Sequence, residues 1–299
     1  VKYFKLKFVI IFLIIIFSVA LVLSQKYIIK KELRATNLKK SWGENIELGE
    51  KVKSCDYTNS KDFIQLIDKN LKILEIGAYF SPAFKDGINV KYFDVLDKDG
   101  LLKKAAIDNM SVENIPNIDY VEPNGDLSII KEKFDIVYTN RNIEHQVNLV
   151  NHLKQASDIL NKNGKFYLTV PDKRYCFDKF RELSTLSEVL ANYTEKPTVH
   201  SLKDVLAFDC ETTDNYAPDH WKGLPSNIKG LECYIKSMKR FEKSKGSYID
   251  VHKWKFTPQS FNYIIAGLNK IGIIDFKVEK IFCTKVDTLE FFVILTKTK

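Results

Sequence analysis

Glycine and proline are sparse in this chain, 12 and 8 in 299 residues, and nothing in it is low-complexity or repeated. Collagen-like, solenoid and linker-dominated architectures are thereby excluded. Cysteines number five and are scattered, at Cys55, Cys176, Cys210, Cys233 and Cys283, with no C-x-x-C pair. That pattern reads as neither a disulfide framework nor a zinc ribbon, and it fits a reducing compartment. Excess charge is also missing from most of the chain. The net charge is +8, yet residues 1–40 alone carry nine basic side chains against Glu32. The remainder holds 37 basic and 37 acidic residues, so no general nucleic-acid footprint is expected.

What is present is a chain with enough apolar residues, 45%, for one large or two small domains. Phe8 to Ser24 is uncharged and lies at the short end of the membrane-spanning range. Val22-Leu-Ser24 before Gln25 also fits a signal-peptidase site. Lys2, Lys5 and Lys7 precede the run, whereas Lys26, Lys30, Lys31, Arg34, Lys39 and Lys40 follow it. The positive-inside rule therefore favours an uncleaved single-pass anchor through residues 8–24, with everything beyond it in the cytoplasm. Residues 1–25 form the anchor in this reading, and 26–60 a juxtamembrane linker.

The stretch that organises the rest is LKILEIGAYFSPAFKDGINVKYFDV. A short apolar run ends at Gly77, Ser81-Pro82 carries the mark of a helix start, and a second strand reaches Asp94. A glycine lets backbone approach a ligand closely. An acid at the end of the following strand is placed to accept hydrogen bonds from a ribose diol. Further short strands are expected at 118–121, 134–139 and 165–170, with helices at 99–107 and 146–161 between them. Strands alternating with helices make a parallel sheet covered on both faces. Thr257-Pro258 opens a helix to about Ile271. Two apolar strands then follow, 275–283 and 289–296, with a connection too short for a parallel crossover, so the sheet ends in an antiparallel hairpin. The core is thus 61–171 completed by 257–299. Residues 172–256 are an insertion too long for an idle loop, expected to cover the C-terminal edge of the sheet.

Five parallel strands closed by an antiparallel hairpin resemble the class I S-adenosylmethionine-dependent methyltransferases. LEIGAYFSP stands where that family has its acidic and glycine loop, and FDIVYTNRNIEH and LNKNGKFYLTVPDKRYCFD resemble its fourth- and fifth-strand motifs. PDKRYCFDKFRELSTLSEVL and YIDVHKWKFTPQSF further resemble a bacterial group found beside glycosyltransferases of surface-glycan synthesis. The resemblance covers roughly Lys72 to Thr296. Two positions depart from it: Tyr79 occupies the usual second-glycine place, and Arg141 stands where a histidine is common.

The resemblance implies a Rossmann-like seven-stranded sheet and S-adenosyl-L-methionine as cofactor. It implies cofactor contacts from Glu75, Gly77 and Ala78, from Asp94, from Asp126 and Leu127 beside the adenine, and from Asn140 near the methyl. It also implies a glycan or lipid-linked sugar as acceptor and a glycosyltransferase as a possible partner.

Among candidate catalytic residues, His145 suits a general base beside Glu144, or the two cap the next helix. Arg174 suits a clamp on a substrate phosphate or carboxylate, or a salt bridge that ties down the insertion. His252 either faces substrate or is structural. The aromatics Tyr175, Phe177, Trp221, Tyr248 and Trp254 offer sugar platforms or the insertion's own core. No metal site is expected: His145 and His152 are two helical turns apart, and no carboxylate or cysteine completes a familiar spacing. An NAD(P)-dependent oxidoreductase would share the opening unit but should carry G-x-G-x-x-G where this chain has G-A-Y-F-S-P. A non-catalytic partner of the same fold remains the other reading.

Overall fold

The structure, a computed structural model, describes Val52, residues 55–84 and residues 89–299, all within one unit running from Leu48 to Lys299. The proposed membrane helix lies outside the described residues, and among the described residues no helix is long and apolar enough to cross a membrane.

The central strand explains the rest of the sheet. β1 (Ile73–Ile76) is buried at all four positions because it is paired on both edges and covered on both faces. β2 (Val90–Asp94) and β4 (Phe134–Asn140) flank it in parallel, β3 (Tyr120–Val121) lies outside β2, and β5 (Leu160–Pro171) outside β4. The hairpin of β6 (Phe276–Phe282) and β7 (Glu290–Lys297) completes a seven-stranded sheet in the order β3-β2-β1-β4-β5-β7-β6, with β7 antiparallel to β5. The expected Rossmann-like arrangement of five parallel strands and a terminal hairpin is what forms.

Alternation along the strands sends side chains to two cores. Leu74, Ile76, Val137, Phe166 and Leu168 face one side. There they meet α3 (Leu149–Asp158), through Leu149, Val150 and Leu153, and α8 (Pro258–Lys270), through Phe261, Ile264 and Leu268. Ile73, Ile136, Tyr138, Tyr167, Phe292 and Ile294 face the other, closed by Phe63 of the short helix α1 (Ser60–Phe63) and by Phe84. Helix α2 (Lys98–Ile107) begins at Asp97, whose carboxylate accepts the Gly100 N–H at 2.8 Å. Thr257 and Ser260 form a reciprocal capping box at the start of α8, as the Thr257-Pro258 pair foretells.

Three expectations change. No helix starts at Ser81-Pro82 within the described residues; the chain bends there, and the Ala83 and Phe84 amides donate to the buried Glu75 carboxylate at 2.8 and 3.4 Å. The helix expected over 146–161 is confined to α3: Asn148 caps its start by accepting the Asn151 N–H at 3.0 Å, and β5 already begins at Leu160. The cysteines are not all unpaired: disulfides join Cys55 to Cys283 and Cys210 to Cys233, leaving Cys176 free and buried. Partners separated by 228 and 23 residues leave no local spacing to read.

The insertion is helical: α4 (Leu186–Glu195), α5 (Leu202–Cys210), α6 (Ala217–Trp221) and α7 (Glu232–Ser244). Cys210 at the end of α5 and Cys233 at the start of α7 clamp two of these together. Residues 246–250 then return the chain to the carboxyl ends of the strands.

Candidate active site

In this sheet order the chain moves outward in opposite directions from β1 and β4. Between them, beyond their carboxyl ends, opens the crevice that parallel sheets offer to ligands. A cavity of about 790 Å³ occupies it, a size suited to a nucleotide-sized ligand. Its walls come from the ends of β1 (Ile76, Gly77) and β2 (Phe93, Asp94), from the 123–125 turn, from the loop after β4 (Arg141, Asn142, His145), and from residues 246–250 of the insertion.

Gly77 has φ +71°, and a Cβ built there would lie 2.8 Å from Asn142 Nδ2. A side chain would therefore be both strained and obstructed, and the bare backbone faces the cavity. Asp94 is only 7% exposed, and burial pushes its carboxyl up to about 6 despite backbone N–H donors such as that of Leu96. Tyr79, at φ +46°, lines the cavity, with its hydroxyl 2.6 Å from Asp108 Oδ2.

The remaining implied cofactor residues lie elsewhere. Glu75 and Ala78 are buried but do not line the cavity. Glu75 serves the turn at 83–84 instead. Burial pushes its carboxyl up to about 7, against the two amides that hold it down. Asp126 caps the turn at 127–129 and accepts from Gln155 Nε2, and Leu127 is fully buried in the core. Pro123, Asn124 and Gly125, one turn earlier, line the cavity at that point. Asn140 ends β4 behind the lining. Arg174 is also absent from the walls: its guanidinium donates to the buried Asp172 at 2.6 and 2.9 Å and lies over Tyr175. Tyr175 in turn stacks on Trp221 at 3.7 Å, and Trp254 is buried, so none of the three side chains is an open platform.

Because Glu75 holds its proton more tightly folded than unfolded, folding binds protons between the ordinary carboxyl range and about pH 7. Stability from this group is therefore greatest at low pH and falls as pH rises through that window. Glu75→Gln is expected to remove on the order of 3 kcal/mol of that decline, read as the difference in urea-unfolding free energy between pH 4.5 and pH 8 for parent and variant.

On the opposite wall the structure brings together residues far apart in sequence. Lys253 and Trp254 donate their backbone N–H groups to the Glu144 carbonyl at 2.9 and 3.0 Å. This sets His252 against the 143–145 turn, its ring 4.5 Å from that of His145. His252 Nδ1 is 2.6 Å from Asp178 Oδ2, and Asp178 is also held by Arg181, which is buried and donates to the His252 carbonyl. His145 Nδ1 lies 2.8 Å from Asp250 Oδ1. Burial drives His252 down to about 4, with the neighbouring His145 adding to the effect. Burial works to lower His145 as well, but the Asp250 carboxylate outweighs it and the net shift is upward. Burial pushes Glu144 up to about 7. An imidazole on the cavity wall with a carboxylate behind it can take a proton from a ligand hydroxyl. Sequence reasoning singled out Glu144, His145 and His252 but missed Asp178 and Arg181. The only signal was their three-residue spacing within PDKRYCFDKFR.

No protein-family model matches the chain. No curated protein matches it either. Among solved structures, it is similar to an S-adenosylmethionine-dependent methyltransferase from Mesorhizobium loti, at 13% identity over 81% of this chain and 99% of that one, with a TM-score of 0.42. It is also similar to one from Clostridium acetobutylicum, at 11% identity over 82% and 94% with a TM-score of 0.39. A third is the CcbJ methyltransferase from Streptomyces caelestis, at 10% identity over 80% and 88% with a TM-score of 0.40.

Proposed function

We propose that the chain is an S-adenosylmethionine-dependent methyltransferase that modifies a hydroxyl of a glycan or lipid-linked sugar at the cytoplasmic face of a membrane. One observation carries the reading: Gly77 and Asp94 stand on one cavity at the strand-order switch point, and His145, backed by Asp250, stands on the same cavity. The residues fit the cofactor. The Gly77 backbone is open to close approach, Asp94 supplies a buried acceptor for a ribose diol, and the 123–125 turn supplies an edge for a base. When bound, the cofactor supplies an electrophilic methyl and its own leaving group, so the protein has to position the acceptor, exclude water and take a proton. His145 is assigned that proton.

The glycan acceptor and a glycosyltransferase partner are supported by the sequence resemblance, and the membrane by the apolar run at residues 8–24 and its basic flank. Incubating the full chain with methyl-tritiated cofactor and membranes carrying lipid-linked saccharides tests the assignment. Label is expected in the solvent-extracted saccharide fraction. Label confined to protein or to free phospholipid contradicts it.

A second reading has its own observation. The two disulfides suit an oxidising compartment, where the cofactor is not made, and there the chain would be a non-catalytic partner in glycan assembly. Acid-quenched thiol trapping in cells separates the two: free thiols at Cys210 and Cys233 support the cytoplasmic enzyme, and a bonded pair supports the outward-facing partner.

A further inference from the structure

Glu144 is 1% exposed, and neither of its carboxylate oxygens finds a hydrogen-bond partner on another described residue. A buried carboxylate left so is costly, and native proteins satisfy such groups with a donor or a cation. Its nearest charged neighbours are two imidazoles: Oε1 is 3.9 Å from His145 Nε2 and 3.7 Å from His252 Nε2. One ligand atom from each of the three residues falls in a group whose members all lie within 4.8 Å of one another. Both histidines have Nδ1 beside a carboxylate, Asp178 for His252 and Asp250 for His145, which directs Nε2 inward. A carboxylate behind a ligating imidazole is the usual outer shell of a metal site.

We propose that Glu144, His145 and His252 form a site for a divalent first-row transition ion, zinc foremost, with an open position on the cavity side where His145 forms the wall. Two imidazoles and one carboxylate suit zinc, iron(II) or manganese and disfavour magnesium, which prefers oxygen ligands. Tetrahedral ligands at about 2.1 Å from an ion stand about 3.4 Å apart, so the two Glu144–imidazole distances need to close by about 0.5 Å or less, and no ligand pair by more than about 1.4 Å. The backbone bonds from Lys253 and Trp254 to Glu144, and the buried Asp178–Arg181 pair, already hold two of the three ligands in place.

For the acceptor, the inference rests on the methyltransferase reading. An acceptor hydroxyl in the open position loses its proton more readily. With the ion bound, His145 is a ligand and no longer the base that it is in the ion-free reading, so the proton leaves to solvent through the cavity. The oxygen lone pair then forms the bond to the methyl carbon, the carbon–sulfur bond breaks, and its electron pair stays on sulfur, giving a methyl ether and S-adenosylhomocysteine.

The full chain, stripped with a chelator, is titrated calorimetrically with Zn²⁺ and, separately, with S-adenosylhomocysteine. One equivalent of zinc is expected, at micromolar affinity or better, raising the thermal midpoint. Asp178→Asn is expected to weaken zinc binding 10- to 100-fold. His252→Ala is expected to weaken it at least 100-fold. Should His252→Ala fail to fold, the visible spectrum of the Co²⁺-loaded parent decides: bands of a four- or five-coordinate nitrogen–oxygen site support the proposal, and a hexa-aquo spectrum overturns it. No zinc binding by folded parent, or binding undiminished in both variants, overturns it too. Zinc binding without S-adenosylhomocysteine binding leaves the ion site standing and removes the methyltransferase reading; the reverse removes only the ion site.

Discussion

Replacing Asp94 with Ala is expected to weaken S-adenosylhomocysteine binding by two orders of magnitude or more while leaving the fold intact. The carboxylate is nearly buried, stands at the end of β2 on the cavity wall, and accepts from backbone amides of its own and the neighbouring loop, that of Leu96 at 3.3 Å, with no side-chain donor among the described residues. An ionised carboxylate has about four acceptor sites, so capacity is left for a ligand. Hydrogen bonds to a charged group are worth about 1.5–3 kcal/mol each, so two ribose hydroxyls account for roughly 100-fold or more. The same residue sets a pH dependence. Burial holds its carboxyl near 6, and the protonated form loses acceptor capacity, so affinity is expected to fall as pH drops below about 6 and to level off above 7. Calorimetric titrations of parent and variant across pH 5–8 check both. A variant within threefold of the parent would remove Asp94 from the pocket's chemistry.

Trp254→Ala is expected to have the largest effect on stability, a loss of about 3–5 kcal/mol in denaturant unfolding. The ring is 1% exposed within the main core, and its Nε1–H donates to the Gln146 carbonyl at 2.6 Å. That bond joins the end of the insertion to the segment just after the 143–145 turn. The consequence therefore extends to the site: with the anchor gone, His252 and Glu144 are no longer held in register. Trp254→Phe keeps most of the apolar volume and removes the donor, and it is expected to lie between the two. A loss below 1 kcal/mol for the Ala variant would mean that the insertion is fastened elsewhere.

These two residues also mark what the sequence made legible. Asp94 stands at the end of a strand whose neighbour ends in glycine, a local pattern with a direct chemical meaning. The strands and α8 were readable for the same reason, since short apolar runs and the Thr257-Pro258 pair signal over a few residues. The insertion was not. Its helices are short, and although α7 has apolar residues at helical spacing, Ile235 and Met238 on that face stay exposed, so the stripe does not mark a buried core. The Ser201–Asp204 capping box was there to be read as the start of α5. Pro123, Asn124 and Gly125 line the cavity where Asp126 and Leu127 were expected, because a turn's exact path depends on which residue caps the next one. Asp178 meets His252 from 74 positions away, and only the folded sheet edge makes them neighbours.

Calorimetric titration of the full chain with S-adenosylhomocysteine at pH 7.5 tests the central claim most directly. The account predicts one site per chain at micromolar affinity, with a rise in thermal midpoint. A folded chain that yields no heat and no thermal shift at millimolar ligand would contradict it, and the cavity between β1 and β4 would then belong to some other ligand.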